Sequence, residues 1–254
     1  MFKYITILLI SIQTLFLFNC EEKKKDNTSA QAALLLLNRG SVSSGCASAS
    51  TTAISNSALS GTTPTATQYS ISGCDVNSLS SIGLSGQNIT PGVTGTSVNS
   101  RLVSNGDLFS GSDVNIEVTF SLTSASGYLE VIGQGSGTAS TIDGTAVRIN
   151  SSTTQARGTG NSTLTTITNQ STAVGTTVTY CIDFHNESPI FHAVFWPSAC
   201  TAVSTSDRNS YTGREATVTP SSQGKRVGFI LNNAILQSFT VRTKIGIASI
   251  LLPQ

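Results

Sequence analysis

Beyond residue 97, apolar and polar residues alternate along most of the chain, and the phase of that alternation lays out the strands. In Val114–Leu122 the residues Val114, Ile116, Val118, Phe120 and Leu122 share one face and Asn115, Glu117, Thr119 and Ser121 the other, as in a strand with one buried side. Gly127 interrupts the pattern and Tyr128–Ile132 resumes it. Thr145, Val147 and Ile149 mark another strand, Ser162–Thr168 a weaker one and Gly213–Thr219 a modest one. Val227, Phe229 and Leu231 alternate in phase, Asn232-Asn233 makes a turn, Ile235–Val241 runs back, and Ile245–Leu251 closes the chain.

The densest aromatic run, Thr176–Cys200, predicts a central hairpin. Asn186-Glu187-Ser188-Pro189 is its turn, flanked by β-branched and aromatic residues. A four-residue turn sets Phe184 opposite Phe191, Ile182 opposite Ala193 and Tyr180 opposite Phe195, all on the core face. The other face carries Asp183 opposite His192, with His185, Val194 and Trp196 nearby, and is expected to be polar and hydrated.

Upstream, Gly40–Gly95 is rich in Ser, Thr and Gly and predicts long loops with short edge strands; Ala47–Thr67 is nearly low-complexity and expected to be mobile. Ser29–Arg39 predicts a short helix, capped by Ser29 and ended by Gly40. Its apolar Leu34–Leu37 needs cover from the domain, from lipid or from another copy. Strands about ten residues apart, with no convincing helix after Arg39, predict an all-β fold: an antiparallel two-sheet sandwich or jelly roll over residues 41–254.

Composition narrows the function. Charged residues make up 11% of the 254 residues, against roughly 25% in an average soluble domain, and Ser, Thr, Gly and Asn take their place. The net charge is +1, with no basic cluster outside the N-terminus, so nucleic-acid binding has no electrostatic basis. Four cysteines, Cys46, Cys74, Cys181 and Cys200, read as two disulfides in an exported chain. Three pairings are open. The nearest-neighbour one, Cys46 with Cys74 and Cys181 with Cys200, closes loops of moderate length worth about 3 kcal/mol each.

The fifth cysteine belongs to a targeting segment. Lys3 precedes the apolar run Tyr4–Phe18, which is short of the about 20 residues of a membrane span. Asn19-Cys20 ends it, and the charged tether Glu21–Thr28 follows at once. This arrangement resembles a bacterial lipoprotein signal, with a Leu17-Phe18-Asn19-Cys20 box similar to the permissive boxes of spirochaete-type lipoproteins. The resemblance implies a signal peptide over residues 1–19, cleavage before Cys20, and lipid, palmitate included, on that cysteine. Residues 20–40 then form the lipidated tether and helix. The expected location is the cell envelope, anchored to the outer membrane, facing either the periplasm or the outside.

The succession GYLEVIG, GTAVRI, TYCIDFH, FHAVFW and GKRVGFILNNA, spanning roughly 97–250, resembles the strand order of concanavalin-A-like lectin and laminin-G-like sandwiches. That family includes sugar binders, adhesion modules and glycoside hydrolases, so the resemblance implies a binding surface on the concave sheet or at loop tips. The family's hydrolases carry acids spaced roughly as Glu-x-Asp-x-x-Glu. Here Cys181 replaces the first acid and Glu187 falls in the expected turn, which leaves Asp183 alone where two carboxylates are needed. No GxSxG, phosphate loop or HExxH motif occurs, and no catalytic residue or cofactor is expected.

The candidate binding residues are Asp183, His185, His192 and Trp196: an aromatic face beside hydrogen-bonding groups, as a sugar platform requires. The same groups with Glu187 form an Asp/His/His/Glu set of irregular spacing, and no metal site is expected from it. The Asn-x-Ser/Thr triplets at Asn88, Asn161 and Asn186 are expected to be turn residues. The expectation is therefore a membrane-anchored β-sandwich that binds glycan or an extracellular protein. A structural envelope lipoprotein without a small ligand is the alternative, and a divergent hydrolase a third.

Overall fold

Among the described residues seventeen strands form: β1 (Ser41–Ser44), β2 (Ala47–Ala53), β3 (Thr65–Ser70), β4 (Leu84–Gln87), β5 (Ile89–Thr90), β6 (Thr94–Gly95), β7 (Arg101–Ser104), β8 (Val114–Leu122), β9 (Tyr128–Ser136), β10 (Asp143–Asn150), β11 (Thr154–Arg157), β12 (Thr165–Thr168), β13 (Val178–Glu187), β14 (Ile190–Trp196), β15 (Glu215–Val218), β16 (Arg226–Asn232) and β17 (Ala234–Thr243). This computed structural model describes residues 41–44, 46–54, 65–160, 163–187, 190–204, 206–207, 215–218 and 224–243. The chain divides into two units, and all described residues lie in the second, Gly40–Gln254. The signal segment, Cys20, the tether, the helix expected at Ser29–Arg39, the strand expected at Ile245–Leu251 and Asn161 fall outside the described residues.

The strands build two antiparallel sheets. The first runs β1-β2-β3-β17-β8-β13-β14-β15, with β6 also beside β17 and β5 beside β6. The second runs β12-β11-β10-β9-β16-β7-β4. Alternation explains the core between them. Ile116, Val118 and Phe120 of β8, Tyr180, Ile182 and Phe184 of β13, and Phe191, Ala193 and Phe195 of β14 point inward from the first sheet. Leu129 and Val131, Val147 and Ile149, and Val227, Phe229 and Leu231 answer from the second. The aromatics interlock: Tyr180 meets Phe120 edge-on at 5.7 Å and Phe195 at 5.0 Å, and Tyr69 stacks on Phe239 at 4.5 Å. Phe184 reaches far enough across to occupy the space that a Cβ on Gly133 of β9 would need.

The disulfides are Cys46–Cys74 and Cys181–Cys200. The first ties β2 to the segment ahead of a helix absent from the sequence expectation, α1 (Val76–Ser80). Asp75 caps it, accepting the Ser78 N–H at 2.9 Å. At one and a half turns, α1 carries too short a pattern to stand out in a Ser-rich stretch.

Three further expectations need correction. Of the stretch Ala47–Thr67, expected to be mobile, the two ends form β2 and the start of β3, while 55–64 lie outside the described residues. β3 is no edge strand either, for it lies between β2 and β17. In the central hairpin the expected turn is too long. Asn186 and Glu187 continue β13, and the Asn186 N–H is accepted by Asp113 Oδ1 at 3.0 Å, so Asn186 is not a turn residue. Phe184 therefore pairs with Ala193, Ile182 with Phe195, and His185, rather than Asp183, with His192. The shift is two residues, and because side chains alternate with period two, every residue keeps its expected face. Asn88, at φ +51°, does sit in a turn.

Candidate functional site

The outer face of the first sheet carries most of the chemistry, in two cross-strand rows. One runs Ser50–Gln68–Thr240–Glu117–Cys181–Trp196 over β2, β3, β17, β8, β13 and β14. The adjacent row runs Thr52–Ala66–Arg242–Asn115–Asp183–Val194 and ends at Glu215 of β15. Glu117 and Arg242 stand near the middle of the face, and the two ends differ in what covers them.

The β13–β15 end is closed. The chain after β14 folds back so that Cys200 bonds Cys181, and Cys181, Val194, Trp196, Cys200 and Val203 form their own apolar cluster on the outer face. Trp196 is 3% exposed, and its indole N–H is accepted by the Asp207 carbonyl at 3.3 Å. It packs in this cluster and offers no face to a sugar. Asp183 and His185 are buried too, at 1% and 2% exposure. The hydrated face expected for them is corrected accordingly: the alternation located a second face, and a folded-back loop covers it.

Within that cover the four candidates divide differently from the expectation. Asp183 Oδ2 lies 2.6 Å from His185 Nδ1, two residues along the same strand. The His185 and His192 rings stack across the strands at 5.2 Å, 15° from parallel. His192 finds its acid in Glu215. A run of Asp183, His185, His192 and Glu215 thus crosses β13, β14 and β15. Buried like this, Asp183 has no access to a glycosidic bond, and among the described residues no three His, Cys, Asp or Glu side chains converge as metal ligands. The Glu187 side chain lies outside the described residues.

The β2–β8 end is open. Ser50, Thr52, Ala66, Gln68, Glu117, Thr240 and Arg242 line a depression of about 220 Å³. Thr52 and Gln68 are exposed at its rim, and Arg242 is 5% exposed at its floor. Arg242 Nη2 reaches Glu117 Oε2 at 3.5 Å, the outer limit of a hydrogen bond, while Nε and Nη1 are buried with no acceptor among the described residues. Burial pulls the Arg242 guanidinium below the usual arginine range, and the Glu117 carboxylate only partly opposes that pull. Glu117 has a second engagement: Oε2 accepts the Cys200 N–H at 2.7 Å, which fastens the covered end of the face to the open one.

Arg157, the other deeply buried arginine among the described residues, shows what a satisfied one looks like. On the outer face of the second sheet it donates to Glu130 at 2.6 Å, to Asp143 at 2.7 Å and to the Gly144 and Gly158 carbonyls. Arg148 completes the network on Glu130 at 2.7 Å and lies 4.3 Å over the Tyr128 ring. Burial lowers the Arg157 pKa, but Glu130 and Asp143 more than reverse that and leave it raised. Arg157 is structural. Arg242 carries the same burial without the partners, and it floors a depression.

Sequence reading missed Arg242 and Gln68. The row depends on β17 lying between β3 and β8, and no local pattern encodes that neighbourhood. The local signal available was a charged residue in phase with Ser238 and Thr240 at the end of an alternating strand.

Fold and site together define a two-sheet antiparallel β-sandwich with a polar depression on one outer face. Weak likenesses occur among solved structures. The carbohydrate binding module CBM66 from Bacillus subtilis has a TM-score of 0.37 at 12% identity, covering 64% of this chain and 92% of that one. The exoplasmic/lumenal domain of VIP36, in a Ca2+/Man3GlcNAc-bound form, has a TM-score of 0.39 at 9% identity, covering 64% and 84%. Basic winged bean lectin with Tn-antigen has a TM-score of 0.31 at 11% identity, covering 81% and 95%. No protein-family model matches the sequence, and no curated protein does.

Proposed function

We propose that the protein is a lipid-anchored β-sandwich that binds glycan on the open end of its first sheet's outer face. The observation that carries this is the depression itself: hydroxyl, amide, carboxylate and guanidinium groups from four strands converge on one concavity, and its cation is held to Glu117 only by a contact of 3.5 Å. Polar ligands are held by a few such groups fixed on rigid elements. Anchoring rests on the apolar run Tyr4–Phe18, on Cys20 directly after it and on the charged tether Glu21–Thr28. Lipid on Cys20 would hold the sandwich at the outer membrane of a bacterial envelope, within reach of glycan.

The test uses the full chain purified in detergent on a glycan array, with Arg242→Met beside it. Binding by the native chain that Arg242→Met abolishes supports the proposal. Failure to bind any glycan rejects it in favour of a structural envelope protein. Anchoring has its own readout: Cys20→Ala must lose radiolabelled palmitate and leave the membrane fraction, and retention of both rejects the anchor.

A further inference from the structure

We infer that the depression floored by Arg242 takes a single neutral sugar unit, a polyol, and discriminates against acidic sugars. This rests on the glycan reading above and narrows its ligand class.

The argument is one of donors and acceptors. Arg242 can only donate; its Nη2 holds Glu117 only at 3.5 Å, while its Nε and Nη1 are sealed from solvent. Glu117 can only accept. It keeps one contact to the Cys200 N–H at 2.7 Å and a long one to Arg242 at 3.5 Å, with its side chain 20% exposed toward the depression. Around this pair stand Ser50, Thr52 and Thr240, whose hydroxyls do both, and Gln68, whose amide does both. A group that satisfies this wall must give a hydrogen bond to Glu117 and take one from Arg242 within the same few ångströms. Neighbouring hydroxyls on a sugar ring do this. A carboxylate does not, because it can only accept and would face Glu117 as a like charge. An ammonium group would face Arg242 in the same way.

Charge supports the same conclusion. Arg242 and Glu117 are of opposite sign and both line the depression, so the site has no net charge with which to select an ion. Their separation matters as well. A pair held at 3.5 Å is loose enough for a diol to bridge it, whereas Arg157 is locked onto Glu130 at 2.6 Å and leaves no such opening. The depression, about 220 Å³ and open on one side, has room for one ring-sized group.

The experiment measures dissociation constants of the full chain in detergent for three neutral polysaccharides, dextran, mannan and galactan, and two acidic ones, polygalacturonate and alginate. At least one neutral polymer is expected to bind about tenfold more tightly than either acidic one, the worth of one hydrogen bond to a charged group. Two variants locate the effect. Gln68→Trp, at the exposed rim, fills the depression and weakens neutral binding at least about tenfold with an unchanged melting temperature. Glu117→Gln weakens neutral binding and strengthens acidic binding, a reversal that a purely structural glutamate would not produce. Acidic polymers binding as tightly as neutral ones overturn the inference and leave the glycan reading standing. Neutral binding untouched by Gln68→Trp also overturns it, since the sugar then sits elsewhere. No binding to any of the five overturns the inference and the glycan reading together.

Discussion

Replacing Arg242 with methionine should make the protein more stable. Arg242 is 5% exposed, two of its three guanidinium nitrogens have no acceptor among the described residues, and its one ionic contact is 3.5 Å long. At that separation the attraction to Glu117 is about 5 kcal/mol with an effective dielectric near 20. Against it stand the desolvation of a buried cation, several kcal/mol after relaxation, and about 1–3 kcal/mol for each donor left unmade. The costs exceed the gain. Methionine replaces the aliphatic stem of the arginine, stops short of the guanidinium nitrogens and carries no charge. Glu117 tolerates the loss, because its side chain is 20% exposed and it keeps the Cys200 N–H. The expected change is a gain of about 1–3 kcal/mol, within the range seen when poorly compensated buried ions are made apolar. In a chain of this size that raises the melting temperature by roughly 2–4 °C per kcal/mol. Urea denaturation followed by Trp196 fluorescence reads it as a higher midpoint at unchanged slope. A loss of more than about 1 kcal/mol would refute the reasoning, because Arg242 would then be satisfied in the unliganded protein. Stability gained and binding lost in one substitution is the mark of a residue kept for its ligand.

The remaining predictions concern the frame. Gly133→Ala puts a Cβ into the Phe184 ring and should cost about 1–3 kcal/mol by overpacking, with recovery in Gly133→Ala/Phe184→Leu; chemical denaturation of both checks it. Cys181→Ser/Cys200→Ser opens the cover over the β13–β15 end, costs about 3 kcal/mol, and shifts the emission of the protein's one tryptophan to the red; unchanged emission would mean that the disulfide does not hold Trp196 down. Burial pushes the Tyr69 hydroxyl up to about 12 from an ordinary value of 10.0. A raised folded-state pKa gives stability that is whole below pH 10 and is lost as pH climbs toward 12, so Tyr69→Phe should flatten the alkaline fall in stability, and tyrosinate absorbance should show one hydroxyl ionising late.

The strands were legible because their signal is local. Val114–Leu122 shows its two faces without reference to any other segment, and the structure has a strand with those bounds. The hairpin register was two residues off because turn length was inferred from polarity, and Asn186 can be polar inside a strand once Asp113 accepts its N–H. Even so, face assignment survived the slip. What lies above a face was not legible. Alternation places Asp183 and Trp196 on the side away from the core, but whether that side meets water depends on where the chain after Trp196 goes, and the Cys181–Cys200 bond sends it back over the sheet. The depression was hidden for a related reason. Ser50, Gln68, Glu117 and Arg242 come from four distant segments and become neighbours only through the strand order.

The arch from β16 to β17, turning at Asn233, supplies one strand to each sheet, and in each it is the strand that joins early chain to later chain. β17 connects β1–β3 to β8, and β16 connects β4 and β7 to β9. Until Arg226–Thr243 has been synthesised, β1–β3 cannot join β8, β4 and β7 cannot join β9, and Thr65 waits for a partner 178 residues downstream. Pairings so remote in sequence form slowly. Strands on either side of the arch can pair among themselves first, and the two parts of each layer join only through β16 and β17.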